Sequence, residues 1–344
     1  MAVVGAGSFG RNHARVYNEL QKEKSAEVAL VAVVDRERSR AQAVAGEIAS
    51  SASPPVRVFS SVDELISSDA GVQAASVAVP TVEHLKVARA LMDAGVDVLI
   101  EKPLAVSLDE ADELIAIASR KGRIAQTGHL ERFNPAVRAT LPLVTQPMFF
   151  EVHRLSMFSP RALDVDVVLD LMIHDLDIVL SFVASPVREI RAVGLPILSD
   201  RVDIANVRME FENGCVANFT ASRVSTEQVR KMRFFQPHQY VSVDYSRQDV
   251  FTLTVEAAPA GAPAGLPALT LPAGIRVLPA KPKVASEEPL RAELQAFIAA
   301  VRNRTQPVVT LADGRRALHV ALEILRQIDD HAARANLVAL AKPR

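Results

Sequence analysis

Two groups of ionisable side chains in this chain are spaced for proton and hydride chemistry. Lys102 stands in Glu101-Lys102-Pro103, directly after the apolar run 96–100. If that run is a strand, the ammonium lies at its carboxyl end, where open α/β sheets bind ligands. Pro103 restricts the backbone before it and permits a cis bond. The second group lies on a helical pattern at about 164–183. At about 100° per residue, Asp166, Asp170, His174, Asp177 and Ser181 share one narrow stripe. Val167, Val168, Leu171, Met172, Ile173, Leu176, Val179 and Leu180 cover nearly all the rest, Asp175 excepted. A surface helix would show a broad polar face, so this one reads as the wall of a cleft. Asp170 and His174 are i, i+4 neighbours. A carboxylate there can orient the imidazole and raise its basicity, as suits a general base. Oxidising a secondary alcohol needs an acceptor for the hydroxyl proton. His174 can take it while Lys102 hydrogen-bonds the developing alkoxide. Taken singly, these residues are also a surface lysine and a structural Asp–His pair.

Such chemistry requires a hydride acceptor, and the first residues supply a place for one. Gly5-Ala6-Gly7-Ser8-Phe9-Gly10 has the GxGxxG spacing. One glycine makes a tight turn, a second lets the backbone approach a pyrophosphate, and a third lets the helix pack on its strand. The helix N-terminus then holds phosphate through free N–H groups and its dipole. Alone, the motif is equally a glycine-rich turn. Its context is an apolar run before, a helical pattern after, and Asp35 closing the next strand. An acidic residue there binds both ribose hydroxyls of NAD and repels a 2′-phosphate. NAD is therefore expected over NADP, although Arg36 and Arg38 come next. Only four residues precede Gly5, so the first strand is expected to be short and the chain to start late in it.

The elements that must position these residues alternate. Strand-like runs at 2–4, 28–34, 74–79, 96–100 and 124–126 are separated by helical patterns at 11–24, 39–49, 82–94 and 108–121. Apolar strands alternating with amphipathic helices imply a doubly wound parallel sheet with right-handed crossovers. This predicts an α/β Rossmann domain over 1–126. Beyond it the texture changes. Strands are expected at 149–155, 189–193, 202–212, 215–222 and 240–245, several alternating polar with apolar residues. Glu212-Asn213-Gly214 is a hairpin signal, expected as a type I′ turn. The prediction for 127–344 is an α+β domain with an open, mainly antiparallel sheet. The Pro/Ala/Gly-rich stretch 257–289 reads as an irregular excursion, and helices at 289–303 and 311–333 close the chain.

Composition narrows the partners. The 344 residues carry 39 basic and 40 acidic side chains without a basic tract, which argues against nucleic acid. Cys215 is the only cysteine, so there is no internal disulfide and no cysteine cluster for a metal. No signal peptide is expected before the first strand, and the apolar runs fall short of a membrane span. A cytoplasmic enzyme is expected, with no membrane partner.

Together these features resemble the Gfo/Idh/MocA family of NAD(P)-dependent oxidoreductases. The matching residues are GAGSFG with His13 just after it, then Asp35, VAVPTVEHL at 77–85, EKP at 101–103 and DLMIHDLD at 170–177. EPLRAELQAFIAAVRNRTQPVVTLADGRRAL near the end matches the family's C-terminal pattern. The resemblance implies a Rossmann domain plus an α+β domain whose open sheet commonly mediates homodimers and homotetramers. It implies Lys102, Asp170 and His174 as the catalytic set. Pro80, Thr81, His84 and Glu101 would be cofactor neighbours beside Ser8, Phe9, Asp35 and Arg36.

A finer resemblance lies in GHLERFNPAV at 128–137, DVVLDLMIHDLD and RVSTEQVRKMRFFQ. These look like the branch that oxidises the 3-hydroxyl of UDP-N-acetylglucosamine or its uronic acid, especially the enzymes that feed an aminotransferase making a 2,3-diamino sugar for lipid A. Where many family members carry Gly-Gly ahead of the DxxxH helix, this chain has Ala162-Leu163-Asp164-Val165, a departure the nucleotide-sugar branch tolerates. A UDP-sugar substrate brings a pyrophosphate that needs cations or N–H donors. Arg132, Arg154, Arg161 and Arg223 are the candidates, Asn134 and Asp177 could bind an amide or hydroxyl, and Phe133 reads as core. Two alternatives stand beside this one: an inositol or free-sugar dehydrogenase, and a non-catalytic NAD-binding redox sensor.

Overall fold

The computed structural model describes residues 1–23, 28–48, 55–158, 165–257, 269–271 and 275–335. The chain forms two compact units, 1–130 with 288–318 and 131–287 with 319–344. A single boundary after residue 126 does not provide for the C-terminal segment that joins the first unit.

In the first unit, β1 (Ala2–Val4), β2 (Ala32–Val34), β3 (Arg57–Phe59), β4 (Ala74–Val77), β5 (Asp97–Glu101) and β6 (Ala125–Gly128) run parallel. Their order is β3-β2-β1-β4-β5-β6. Strands β1, β2, β4 and β5 are buried along their whole length, which explains runs of apolar residues without alternation. Helices α1 (Ser8–Gln21), α2 (Arg38–Ile48), α3 (Val62–Ile66), α4 (His84–Asp93) and α5 (Leu108–Lys121) connect them. Local signals set their ends. Ser107 Oγ caps α5 through Glu110 N, and Gly122 stops it in the left-handed conformation. Helix α8 (Pro289–Asn303) returns to this unit because Leu290, Leu294 and Phe297 join Val16, Tyr17 and Leu20 of α1 in one core. The unit boundary falls within α9 (Leu311–Arg334).

The second unit is built on nine described strands: β7 (Phe149–Met157), β8 (Val187–Leu195), β9 (Ile204–Phe211), β10 (Val216–Ser225), β11 (Val229–Gln236), β12 (Gln239–Asp244), β13 (Asp249–Ala257), β14 (Leu269–Leu271) and β15 (Ile275–Ala280). They form one sheet in the order β14-β15-β13-β12-β11-β7-β10-β9-β8. Among the described neighbours only β7 and β10 pair in parallel; the others are antiparallel. Alternation marks the covered face, as in β9, where Ala205, Val207, Met209 and Phe211 are buried and Asn206 and Arg208 are exposed. Phe150, Phe182 and Phe234 meet there at 5.5–6.5 Å between ring centres. Strand β15 makes part of the expected excursion regular, whereas 258–268 and 272–274 lie outside the described residues.

Two local expectations need correction. The 212–214 hairpin is not type I′, since Gly214 takes φ +84° but Asn213 is not at positive φ. Gly214 N donates to Phe211 O across the turn and Phe211 N to Cys215 O, the pattern of a type I turn followed by a glycine bulge. The expected helix at 164–183 is not uniform either. It opens with a π-helical turn at Val168–Met172 and becomes α-helical only as α7 (Ile173–Phe182). A π-turn inserts a residue and rotates the downstream part of the helix by about 100°.

Candidate active site

The first unit presents a nucleotide cradle at the point where strand order reverses, between β1 and β4. Gly5 takes φ +99°, and a Cβ there would overlap the Ala78 carbonyl. A Cβ on Gly10 would overlap the Gly5 carbonyl oxygen, so α1 reaches the strand only through glycine. Gly7 differs: a Cβ there would meet nothing within 4 Å. Gly7, Ser8 and Phe9 are exposed, and α1 starts with no side-chain cap and no acidic residue in its first turn. These are open N–H donors on an accessible loop, as a pyrophosphate requires. Asp35 Oδ2 accepts from Ala6 N at 2.8 Å and Oδ1 from Glu37 N at 2.9 Å, fixing a half-buried carboxylate beside the loop. The residues therefore fit a dinucleotide. Arg36 is exposed, and Arg38 is paired with Glu64 at 3.3 Å.

Glu101 ends β5, and Lys102 comes next, half-buried, on a cis bond to Pro103. Pro80 is exposed and Thr81 half-buried on the neighbouring loop after β4. His84, implied as a cofactor neighbour, has a different place. It is buried, with Nδ1 3.1 Å from Pro103 O and 3.2 Å from Leu104 O, and Nε2 3.0 Å from Val79 O. Burial lowers its pKa, and the three carbonyls and the Glu101 charge oppose that shift. His84 thus braces the loop after β4 against the loop carrying Lys102, and no ring nitrogen is turned to a cofactor.

In the second unit, Asp170 lies within the π-turn and His174 in the first turn of α7, both half-buried. π-Turns recur at functional sites because they re-aim side chains. The stripe does not continue past them. Asp177 is buried and grips Arg132, with Nε to Oδ2 at 2.6 Å and Nη2 to Oδ1 at 2.9 Å. Asp175, which interrupted the apolar surface of the pattern, is buried against Arg154.

The substrate candidates fare unequally. Arg154 is buried, its Nε and Nη2 on Asp175 at 2.7 and 2.9 Å, its Nη1 on Glu131 at 3.0 Å, and its guanidinium over Tyr245. Arg223 is buried too, bonded to Asp203 Oδ1 at 2.7 Å and Val165 O at 2.6 Å. Burial works against ionisation of Asp203, but the N–H groups of Leu198, Ile197 and Ser199, together with Arg223, hold it well below the usual carboxylate range. Asn134 caps α6 (Pro135–Thr140) through Ala136 N and donates to Glu131 and the Tyr245 carbonyl. Arg154, Arg223, Asn134 and Asp177 are thus satisfied by internal partners, and the expectation that they contact substrate is corrected. Phe133 is core, as expected. Arg132 keeps about 15% of its side chain exposed. Arg161 and 162–164 lie outside the described residues.

Sequence reasoning missed the polar residues behind Glu101. His13 Nε2 lies 2.9 Å from Glu101 Oε1, and His13 Nδ1 lies 3.0 Å from Ser76 Oγ, which is 2.8 Å from Tyr17 Oη. The available signals were the i, i+4 spacing of His13 and Tyr17 on α1 and a carboxyl, Glu293, inside the apolar pattern of α8.

Comparison with known proteins agrees with both units. Residues 1–129 match the profile of the Gfo/Idh/MocA oxidoreductase family, NAD-binding Rossmann fold. Residues 146–236 match its C-terminal domain. The chain is 36% identical over 323 residues to a UDP-N-acetylglucosamine 3-dehydrogenase of Acidithiobacillus ferrooxidans, covering 94% of this chain and 95% of that one. A solved structure of that dehydrogenase superposes with a TM-score of 0.82 at 35% identity, over 96% of this chain and 97% of that one. The NAD(+)-dependent scyllo-inositol 2-dehydrogenase of Bacillus subtilis is 26% identical, over 65% of this chain and 67% of that protein. With a nucleotide cradle, a lysine at the strand end beside it and near end-to-end similarity to a dehydrogenase, the chain belongs to the Gfo/Idh/MocA family of NAD-binding oxidoreductases.

Proposed function

We propose that this protein oxidises the 3-hydroxyl of a UDP-sugar, UDP-N-acetylglucosamine or a close relative, to the 3-keto sugar. The observation that carries the reading is the 36% identity over 94% of the chain to an enzyme of that name, against 26% over 65% for an inositol dehydrogenase. NAD is the proposed cofactor rather than NADP, because Asp35 is fixed beside the loop and Arg38 is drawn off to Glu64. Gly5, Gly7, Ser8, Phe9 and Gly10 would hold its pyrophosphate, with Pro80, Thr81 and Glu101 nearby. NAD bound there supplies the acceptor for the hydride that leaves the carbinol carbon. His174 takes the hydroxyl proton, Asp170 orients its imidazole, and Lys102 hydrogen-bonds the oxygen as the carbonyl forms. The C–H electron pair leaves as hydride and the O–H bond breaks to His174, so the ketone is the only carbon product. Arg132 and Arg161 are the proposed cations for the substrate's pyrophosphate. An aminotransferase making the 2,3-diamino sugar of lipid A would consume such a ketone.

The purified protein, given NAD and UDP-N-acetylglucosamine, is expected to form NADH, with higher yield when glutamate and an aminotransferase remove the ketone. No NADH from that donor, together with turnover of myo-inositol or glucose, would sink this reading. Binding of NADH with no turnover of any alcohol would favour a sensor. Lys102→Met is expected to lower kcat by about 10²–10³-fold, as loss of one preorganised donor to a developing oxyanion does. Equilibrium titration should show the Kd for NAD changing far less, and an equal loss in both would make Lys102 a cofactor ligand only.

A further inference from the structure

Behind Glu101 the first unit holds a set of buried polar groups that hydride transfer does not require. Glu101 ends β5, and its carboxylate occupies the space where a Cβ on Gly128 would lie, 2.9 Å from Oε1. Glycine at 128 lets the carboxylate tuck against β6. His13 of α1 meets Glu101 at 2.9 Å, and the Ser76 hydroxyl of β4 links His13 to the Tyr17 phenol. His13, Ser76 and Tyr17 are wholly buried and Glu101 is 8% exposed. Glu293 of α8, between Leu290 and Leu294 that share a core with Tyr17, is also wholly buried, within electrostatic reach of Tyr17 and Glu101. Neither of its oxygens has a hydrogen-bond partner among the described residues.

Counting charge decides its state. The set contains two carboxyls, Glu101 and Glu293, one imidazole and one phenol, so it offers at most one positive charge. With both carboxyls ionised, an unpaired anion would stand in the core, which costs far more than a neutral acid lacking a hydrogen bond. Glu101 has the imidazole and some solvent, whereas Glu293 has neither. We propose that Glu293 holds a proton in the resting protein and acts as a positioning residue, keeping the Glu101–His13 pair, and with it the strand end that carries Lys102, in place. Burial, reinforced by the Glu101 charge, pushes its carboxyl well above the ordinary range. The same surroundings drive the Tyr17 phenol above its ordinary value, burial first. Ionising Glu293 would set a second negative charge against Glu101 and unseat it. The protonation of Glu293 stands on the first unit alone; its bearing on Lys102 rests on the proposed function.

Linkage sets the sign of the pH effect. A carboxyl whose folded pKa lies above its unfolded value retains a proton that the unfolded chain releases. Stability is therefore fully present below the ordinary glutamate range and falls as pH rises toward the folded pKa. The full-length protein, labelled with ¹³C at glutamate carboxyls, should show one protonated carboxyl at neutral pH, assigned by its loss in Glu293→Gln. In urea unfolding, the folding constant of wild type should fall through that window by up to about tenfold per pH unit more than that of Glu293→Gln. The Kd for NAD should rise with alkaline pH in wild type and stay flat in the variant. Absence of a protonated carboxyl in wild type overturns the proposal without any variant. A protonated Glu293 with identical NAD profiles in the two proteins overturns the positioning role alone. Failure of UDP-N-acetylglucosamine as substrate would touch neither readout.

Discussion

In His174→Ala, kcat with the UDP-sugar is expected to fall by about 10²–10⁴-fold, the usual contribution of a positioned general base. Hydride cannot leave the carbinol carbon ahead of the hydroxyl proton without building a charged oxygen, so the lost acceptor appears in the chemical step. His174 is half-buried at the start of α7, immediately after the π-turn that carries Asp170. Removing an imidazole at a half-exposed position leaves a small gap, and the Kd for NAD should be unchanged because the cradle lies in the other unit. Single-turnover rates and an NAD titration on the same protein separate the two effects. Turnover near the wild-type level in this variant would mean that the proton leaves by another group.

Arg154→Met is expected to cost stability, about 3–5 kcal/mol, with no specific loss of substrate affinity. The substitution keeps the length of the side chain but removes the cation paired with Asp175 and Glu131, both buried. Two carboxyls then remain in a closed interior beside Tyr245, whose phenol is already driven well above its usual value by burial and by Asp175. Urea unfolding monitored by far-ultraviolet circular dichroism reads the loss. Adding Asp175→Leu and Glu131→Gln should recover part of it, since an apolar replacement of a buried ionic group is often tolerated. Intact stability with a raised KM for the UDP-sugar would instead return Arg154 to the substrate.

Much of the first unit was legible because its strands are buried on both faces and its helices on one, so the two periods are written plainly. Strand β3 was not, because Arg57–Phe59 is a three-residue edge strand whose burial rises from exposed to buried without alternation. The return of α8 was hidden for another reason: its apolar face looks the same whichever unit covers it. The cradle could be read from residue type and spacing, and so could the strand end before Lys102 and the helix that carries Asp170 and His174. The arginines could not, because a sequence shows a cation but not the carboxylate that meets it from another element. Arg154 in β7 and Asp175 in α7 are 21 positions apart, and Arg223 and Asp203 are 20 apart. The inserted residue of the π-turn likewise leaves no periodic mark, so a regular wheel put Asp166 in one stripe with His174 across the turn. It gave no sign that Asp177, three residues after His174, is held by Arg132.

The late arrival of α8 also bears on how the protein is made. On the ribosome, the nucleotide-binding half emerges without part of its core, because residues 131–287 must be translated before Leu290, Leu294 and Phe297 exist to cover α1. At about 5–20 residues per second that is a wait of roughly 8–30 s. Throughout it, Val16, Tyr17 and Leu20 lack part of their covering and offer a greasy handle to chaperones. A nascent chain halted near residue 280 should therefore hold one end of its dinucleotide fold open, and a fragment ending at residue 130 should be a client of the cell's holdases rather than a domain.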